Sequence, residues 1–273
     1  MKFRILTASL ICFFSICLSA QRGWEVGGGA GVAYYFGDLN TNFDLSRPGW
    51  VATGVARYNF NKRLNLKFSA NVGRVSADDA LSKNAFERAR NLSFRSMIYD
   101  GAAQLEFNFF PYHHGSPDQY YTPYLFLGAS IFAFNPQAEL RGDWINLQPL
   151  GTEGQDRGDE YFRISQGLVY GAGFKIDITS VWSLNFEFSG RQLATDFFDD
   201  VSGVYPNPTT LLNQRGQDAV DLSDRSIPDL NTFQIGEPGR QRGNSRDNDS
   251  YNFFTVTAVY YLGRLQCPAI SNF

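Results

Sequence analysis

Between Trp182 and Gln192 apolar and polar side chains alternate. Trp182, Leu184, Phe186 and Phe188 fall on one side, and Ser183, Asn185, Glu187, Ser189 and Arg191 on the other. Successive side chains of a β-strand point to opposite faces, so the pattern predicts a ribbon with one apolar and one polar face. The same period of two returns over Trp24–Tyr35, Trp50–Phe60, Leu64–Arg74, Ser93–Phe109, Ile164–Ile176 and Tyr251–Leu262, and Thr122–Phe134 completes the series as an apolar strand candidate. Thr122–Phe134 is apolar on both sides, which leaves its facing open. Trp24–Tyr35 sets Gly27, Gly29 and Gly31 on the polar side beside Glu25. Glycine weakens a strand, but in a narrow barrel it leaves room for bulky inward neighbours.

The connections alternate in length. Phe36–Gly49, Ser76–Leu92, Asn135–Phe162 and Leu193–Asp249 are long, while Asn61–Arg63, Phe110–Tyr121 and Asp177–Val181 are shorter. Ala85–Arg90 in the second long connection suits one or two helical turns. An even strand count with brief turns at one end and extended loops at the other is the pattern of an up-and-down membrane barrel. The expectation is therefore an all-β chain: an eight-stranded antiparallel up-and-down transmembrane β-barrel over residues 21–262, with long extracellular loops and a periplasmic tail at 263–273. Strands of about 9–11 residues cross a bilayer, and closure leaves no unpaired edge in lipid. The rival is a soluble sandwich or lipocalin-like cup with the apolar face inward. Aromatics near strand ends (Trp50, Tyr58, Phe60, Phe107, Phe109, Trp182, Tyr260) and the regular loop alternation favour the membrane barrel.

Composition sharpens this. The chain has 25 Phe, 14 Tyr and 26 Gly against 2 His and 2 Met, a bias that suits strands and membrane interfaces. A net charge of -3 and no evident basic patch give no reason to expect a nucleic-acid partner. Lys2 and Arg4, the apolar run Ile5–Leu18 and Ser19-Ala20 read as a cleaved signal peptide over residues 1–20. A buried N-terminal helix and a lipoprotein anchor at Cys12 or Cys17 are the alternatives, and Ile16 is a poor neighbour for the latter. Cleavage leaves Cys267 as a lone thiol, able to pair with a partner or inert.

If the polar face is inward, Glu25, Arg57, Lys67, Asp100, Glu106, Lys175, Glu187 and Arg191 enter a lumen that eight strands leave just wide enough for side chains. Isolated buried charges are costly, so these should pair into a salt-bridged plug, not a catalytic carboxylate pair. His113-His114 lacks further ligands for a metal site. Asp199-Asp200 and Asp247-Asn248-Asp249 match no EF-hand spacing. No local triad motif and no βαβ unit behind Gly27–Gly31 is present. No catalytic residue and no cofactor is expected.

The loops add a resemblance. Gly37-Asp38-Leu39-Asn40, Asn91–Phe110, Thr122–Leu140, Leu147–Gln155 (LQPLGTEGQ), Tyr170–Lys175, Thr195–Tyr205 (TDFFDDVSGVY), Leu222–Ser226 and Arg242–Phe254 resemble the PorG-like outer-membrane barrels of the type IX secretion system. The resemblance implies a non-enzymatic part in protein export, with contacts to a periplasmic ring built from a lipoprotein and its partner subunit. It puts the candidate partner surface on the periplasmic turns and tail: Asn61, Lys62, Arg63, His113, His114 and Cys267. Competing functions are a small-solute pore or hydrophobic-ligand transporter, and a membrane hydrolase, for which histidine is scarce. Phe273 ends the chain beyond the last predicted strand, although such barrels often close on an aromatic.

Overall fold

The computed structural model describes residues 23–228 and 235–263. The leader 1–20, Cys267 and the tail after Gly263 lie outside the described residues. Eight strands form the wall: β1 (Gly23–Phe36), β2 (Gly49–Asn59), β3 (Leu64–Asp78), β4 (Ser93–Asn108), β5 (Tyr121–Leu140), β7 (Ile164–Asp177), β8 (Trp182–Leu193) and β9 (Ser250–Tyr261). A short β6 (Asp143–Asn146) pairs only with the far end of β5. Each wall strand runs antiparallel to the next, and β1 pairs with β9 from Glu25 opposite Tyr261 to Phe36 opposite Ser250, which closes the ring. Short connections at 60–63, 109–120 and 178–181 make a turn end. Long ones at 37–48, 79–92, 141–163 and 194–249 make a loop end.

All eight predicted strands are wall strands, but several run further. The stretch Asn135–Leu140, expected as loop, continues β5, and β3 extends from Arg74 to Asp78. The reason is a reversal of phase along the strands. Toward the turn end the outward side chains are apolar and the inward ones polar. On β4, Tyr99, Leu105 and Phe107 are exposed while Asp100, Gln104, Glu106 and Asn108 are buried. Toward the loop end the order flips: Phe94, Phe134, Val75, Ala138 and Leu193 are buried, while Arg74, Arg95, Gln137, Glu139 and Gln192 take the outward positions. Each strand thus has an apolar outer band and, beyond it, the ordinary arrangement of a protein in water.

The outer band ends in aromatic girdles. Near the turn end, Trp24 packs on Tyr58 with ring centroids 5.2 Å apart, Tyr58 on Phe60 at 5.2 Å, Phe107 on Phe109 at 5.7 Å and Trp182 on Tyr260 at 5.1 Å. Trp50 and Tyr99 mark the opposite border. From Phe109 to Tyr99 the chain covers about 34 Å at ~3.4 Å per residue. With a strand tilt of about 40° this gives a band of ~26 Å, against about 25 Å for a membrane barrel.

The inward glycines of β1 have a steric cause. A Cβ at Gly27, Gly29 or Gly31 would collide with the carbonyl oxygens of Ala258, Val256 and Phe254 on β9. At the loop end, α1 (Ala85–Arg90) is capped by Asn84, whose side chain accepts from Phe86 N, and it stops at Asn91 in the left-handed region (φ 57°). Two helices that periodicity did not indicate, α2 (Pro208–Arg215) and α3 (Gln217–Ser223), lie in the longest connection.

Candidate functional site

The lumen is filled by charge. Glu106 sits at the centre of three cations: Arg57 Nε at 2.7 Å, Lys175 Nζ at 2.7 Å and Lys67 Nζ at 3.3 Å. Arg57 also holds Glu25 at 2.5 Å, and Lys67 pairs with Glu187. Nearer the loop end Arg191 lies 3.3 Å from Asp100, which also accepts from Tyr251 Oη at 3.0 Å. Four carboxylates therefore face four cations. Rings complete the packing, with Lys67 Nζ 4.3 Å from the Phe126 centroid and Lys175 Nζ 4.5 Å from that of Tyr124. Both rings come from β5, whose facing the sequence left open, and they fill space that Gly171 and Gly173 of β7 leave free. The cavity remaining against Arg57, Lys67, Glu187 and Arg191 is about 10 Å³. That is room for roughly one water. All eight charged residues singled out from the sequence take part in these lumen ion pairs, and four of them line the remaining cavity.

The turn end carries a plug. His114, expected as part of an accessible partner surface, is instead buried in the barrel mouth. Its Nε2 lies 3.0 Å from Glu25 and its Nδ1 2.9 Å from Asp177, and its ring stacks on Tyr261 at 4.6 Å. An adjacent pair of histidines does not reveal which one turns inward; here the carboxylates of β1 and β7 draw in the second. Burial pulls the imidazole pKa down, but hydrogen bonds to Asp177 and Glu25 outweigh it and hold the value at about 9. His114 is thus a cation at neutral pH. Asn61, Lys62 and Arg63 stay at the surface, where they tie neighbouring turns. Lys62 Nζ donates to Gln119 at 3.1 Å, Arg63 to the Phe109 carbonyl at 2.5 Å, and Asn61 Oδ1 accepts from Arg63 N at 2.8 Å. His113 is half-buried beside them.

The loop end is closed by a lid. Phe198 is fully buried among Tyr35, Phe94, Phe132, Phe134 and Tyr251, with centroids 4.8 to 6.3 Å apart across the cluster. Above it the distinctive loop motifs meet. Glu153 accepts from Ser202 N and Gly203 N, both at 2.9 Å, and pairs with Arg242 at 3.1 Å. Ser223 Oγ donates to the Thr152 carbonyl at 2.6 Å, Thr152 Oγ1 donates to Asp200, and Asn244 N donates to Asp38 at 2.8 Å. Residues from GDLN, LQPLGTEGQ, TDFFDDVSGVY, LSDRS and the stretch after Arg242 are thereby knotted together.

This lid is acidic inside. Tyr35 Oη lies 2.5 Å from Asp199 Oδ2 and 2.8 Å from Asp249 Oδ1. A phenol has one proton to give, so the second contact requires a protonated carboxyl, and burial raises the pKa of both aspartates. Burial likewise raises Asp196 to about 7 and Asp38 and Asp200 to about 6, despite the hydrogen bonds and arginines that oppose it. Of the acidic pairs weighed from the sequence for calcium, Asp199-Asp200 and Asp247-Asn248-Asp249, neither belongs to a metal cluster: among the described residues no group of three His, Cys, Asp or Glu is arranged to hold a metal. A carboxyl whose folded pKa lies above the ordinary value keeps a proton that the unfolded chain releases. Its contribution is full below pH about 4 and is lost as pH rises through 6 to 7. Limited proteolysis within residues 194–249 should be faster at pH 8 than at pH 5; equal rates would contradict this account.

Fold and site together define a closed eight-stranded β-barrel with a side-chain-filled lumen, a plugged turn end and a lidded loop end. The chain belongs to the family described as Domain of unknown function (DUF6089), whose profile matches residues 4–218. No curated protein matches it. Among solved structures, it is similar to the outer membrane protein OprG from Pseudomonas aeruginosa, at 11% identity and a TM-score of 0.47 over 91% of this chain and 100% of that one. Ail, the attachment invasion locus protein of Yersinia pestis, gives 11% identity and 0.43 over 89% and 99%. Neisserial surface protein A gives 14% identity and 0.41 over 87% and 96%.

Proposed function

We propose that this protein is a non-enzymatic barrel of the Gram-negative outer membrane, exported through a cleaved signal peptide. In this reading it serves the type IX protein secretion machine by anchoring or contacting its periplasmic ring, made of a lipoprotein and its partner subunit. The membrane part is supported by the phase reversal: an apolar outer band of bilayer height gives way, on the same strands, to polar outward residues. The anchoring part rests on the filled lumen. With space for about one water between Arg57, Lys67, Glu187 and Arg191, a solute has no path, so the barrel's work falls to its surfaces. The loop motifs that carry the resemblance to type IX barrels are also those that build the lid.

The surface offered to the ring is the turn end, with Asn61, Lys62, Arg63 and His113; His114 serves behind it as a plug. Deleting the gene should abolish export of type IX cargo, and re-expression of the wild-type chain should restore it. Normal export in the deletion strain would reject the secretion role. Steady open channels in planar bilayers would favour the pore instead.

A further inference from the structure

Just beyond the apolar band, on the face of β3 to β6, lies an open groove of about 630 Å³. Arg47, Arg74, Arg95, Arg141, Arg225 and Trp144 line it. Two carboxylates, Asp78 and Glu139, share the lining. Asp78 is taken by Arg47 at 2.7 Å, and Arg141 is held from outside by Asp218 at 3.2 Å and by Asp221. Arg225 donates to Ser93 Oγ at 3.0 Å, a neutral partner. Arg74 has no carboxylate partner among the described residues. Arg95 donates only its Nε, to Gln137 at 3.2 Å, and its guanidinium lies 3.5 Å from the Trp144 ring centroid. Arg74 and Arg95 occupy outward positions on adjacent strands, since Arg74 pairs with Met97 and Arg95 with Ser76. Their like charges repel. Three arginines thus surround one free carboxylate, Glu139.

The height of this groove selects the ligand. Val72 pairs with Tyr99 at the band's border, and Arg74 is one pleat further on. Two residues of strand rise about 7 Å, which sets the guanidinium at headgroup depth in the leaflet facing the long loops. Arginine presents a planar fork matched to phosphate oxygens, and Trp144 offers a flat face at an interfacial level.

We infer that the Arg74–Arg95–Trp144 groove binds the phosphate of a phosphorylated glycolipid in the outer leaflet. This rests on the membrane reading, and it gives the barrel a fixed lipid neighbour on one side. Arg74 and Arg95 grip the phosphate, Arg225 adds a third donor, and the sugar lies against Trp144.

The test uses the full-length mature chain in phosphatidylcholine nanodiscs doped with diphosphoryl lipid A or with the same lipid stripped of both phosphates, and reads retained lipid by native mass spectrometry. Wild type should hold the phosphorylated form at least tenfold more tightly. Arg74→Gln with Arg95→Gln should lose that preference, whereas Arg246→Gln, at an exposed loop arginine outside the groove lining, should keep it. Heat-dependent gel mobility establishes that each variant is folded, and the single variant Arg74→Gln, which removes no ion pair, should by itself weaken the preference severalfold. Equal retention of both lipids by folded wild type, or a preference that survives in the double variant, overturns the proposal. Inorganic pyrophosphate displacing the lipid at equal affinity would assign the groove to a soluble anion and overturn it too. A mature chain that stays folded in buffer without detergent would sink the membrane reading instead, so the two failures are distinguishable.

Discussion

Glu106→Ala is expected to lower the stability of the folded barrel by about 3–5 kcal/mol, the range for removing one partner of a buried ion pair. Glu106 is completely buried and is the shared counter-ion of Arg57, Lys67 and Lys175. Without it the lumen holds four cations against three carboxylates, and the two lysines lose their common partner on β4. Water entering the space that the side chain vacates supplies no counter-charge to the three cations. The check is the urea midpoint of the refolded protein in micelles, followed by heat-dependent gel mobility. Glu106→Gln with Lys175→Met removes one charge of each sign and should recover part of the loss. Glu139→Ala, on the exposed outward face of β5, should change stability by no more than ~0.5 kcal/mol. An unchanged midpoint in Glu106→Ala would mean that the lumen charges contribute nothing to holding the barrel closed.

The same network explains what the residue pattern could and could not disclose. Period-two alternation located seven of the eight wall strands because, within the apolar band, each faces two different surroundings; Thr122–Phe134, apolar on both sides, was marked by its length and apolar content instead. Charged residues on the polar face, such as Lys67 between Leu66 and Phe68, could be assigned to the lumen for that reason. Beyond the band the alternation persists with opposite sign. A single phase carried along β5 therefore breaks at Asn135, although the strand continues to Leu140. The loop end was least legible. Asp199 and Asp249 are fifty residues apart in the chain, and only the tertiary fold brings both to Tyr35. Arg47, Arg74, Arg95, Arg141 and Arg225 lie on five separate stretches, so no run of basic residues announced their groove. One local signal was available: Arg74 follows Val72 on the outward face of β3 and is the first charge there, which marks the border of the band.

Phe198→Ala is expected to release the lid while leaving the wall intact. The ring is fully buried and meets five aromatic neighbours, all carried by strands β1, β4, β5 and β9. Truncating a buried Phe costs about 3–5 kcal/mol through lost burial and the cavity left behind. That loss falls on the connection between β8 and β9, because the strand residues that line the pocket keep their ladder hydrogen bonds. Asp199 and Asp249 flank the same site and are held through Tyr35, so loosening Phe198 also exposes carboxyls whose pKa burial raises. Once wetted they ionise, and their mutual repulsion works against reclosure. Limited proteolysis at pH 7 should cut within residues 194–249 at least tenfold faster in the variant, while the urea midpoint of the strands shifts far less than in Glu106→Ala. The difference between variant and wild type should narrow at about pH 3.5, below the ordinary aspartate value of about 3.9, where even the wetted carboxyls stay largely neutral. Protease resistance equal to wild type at both pH values would show that the aromatic cluster does not hold the lid, and a collapse of the whole barrel would show that lid and wall unfold as one unit.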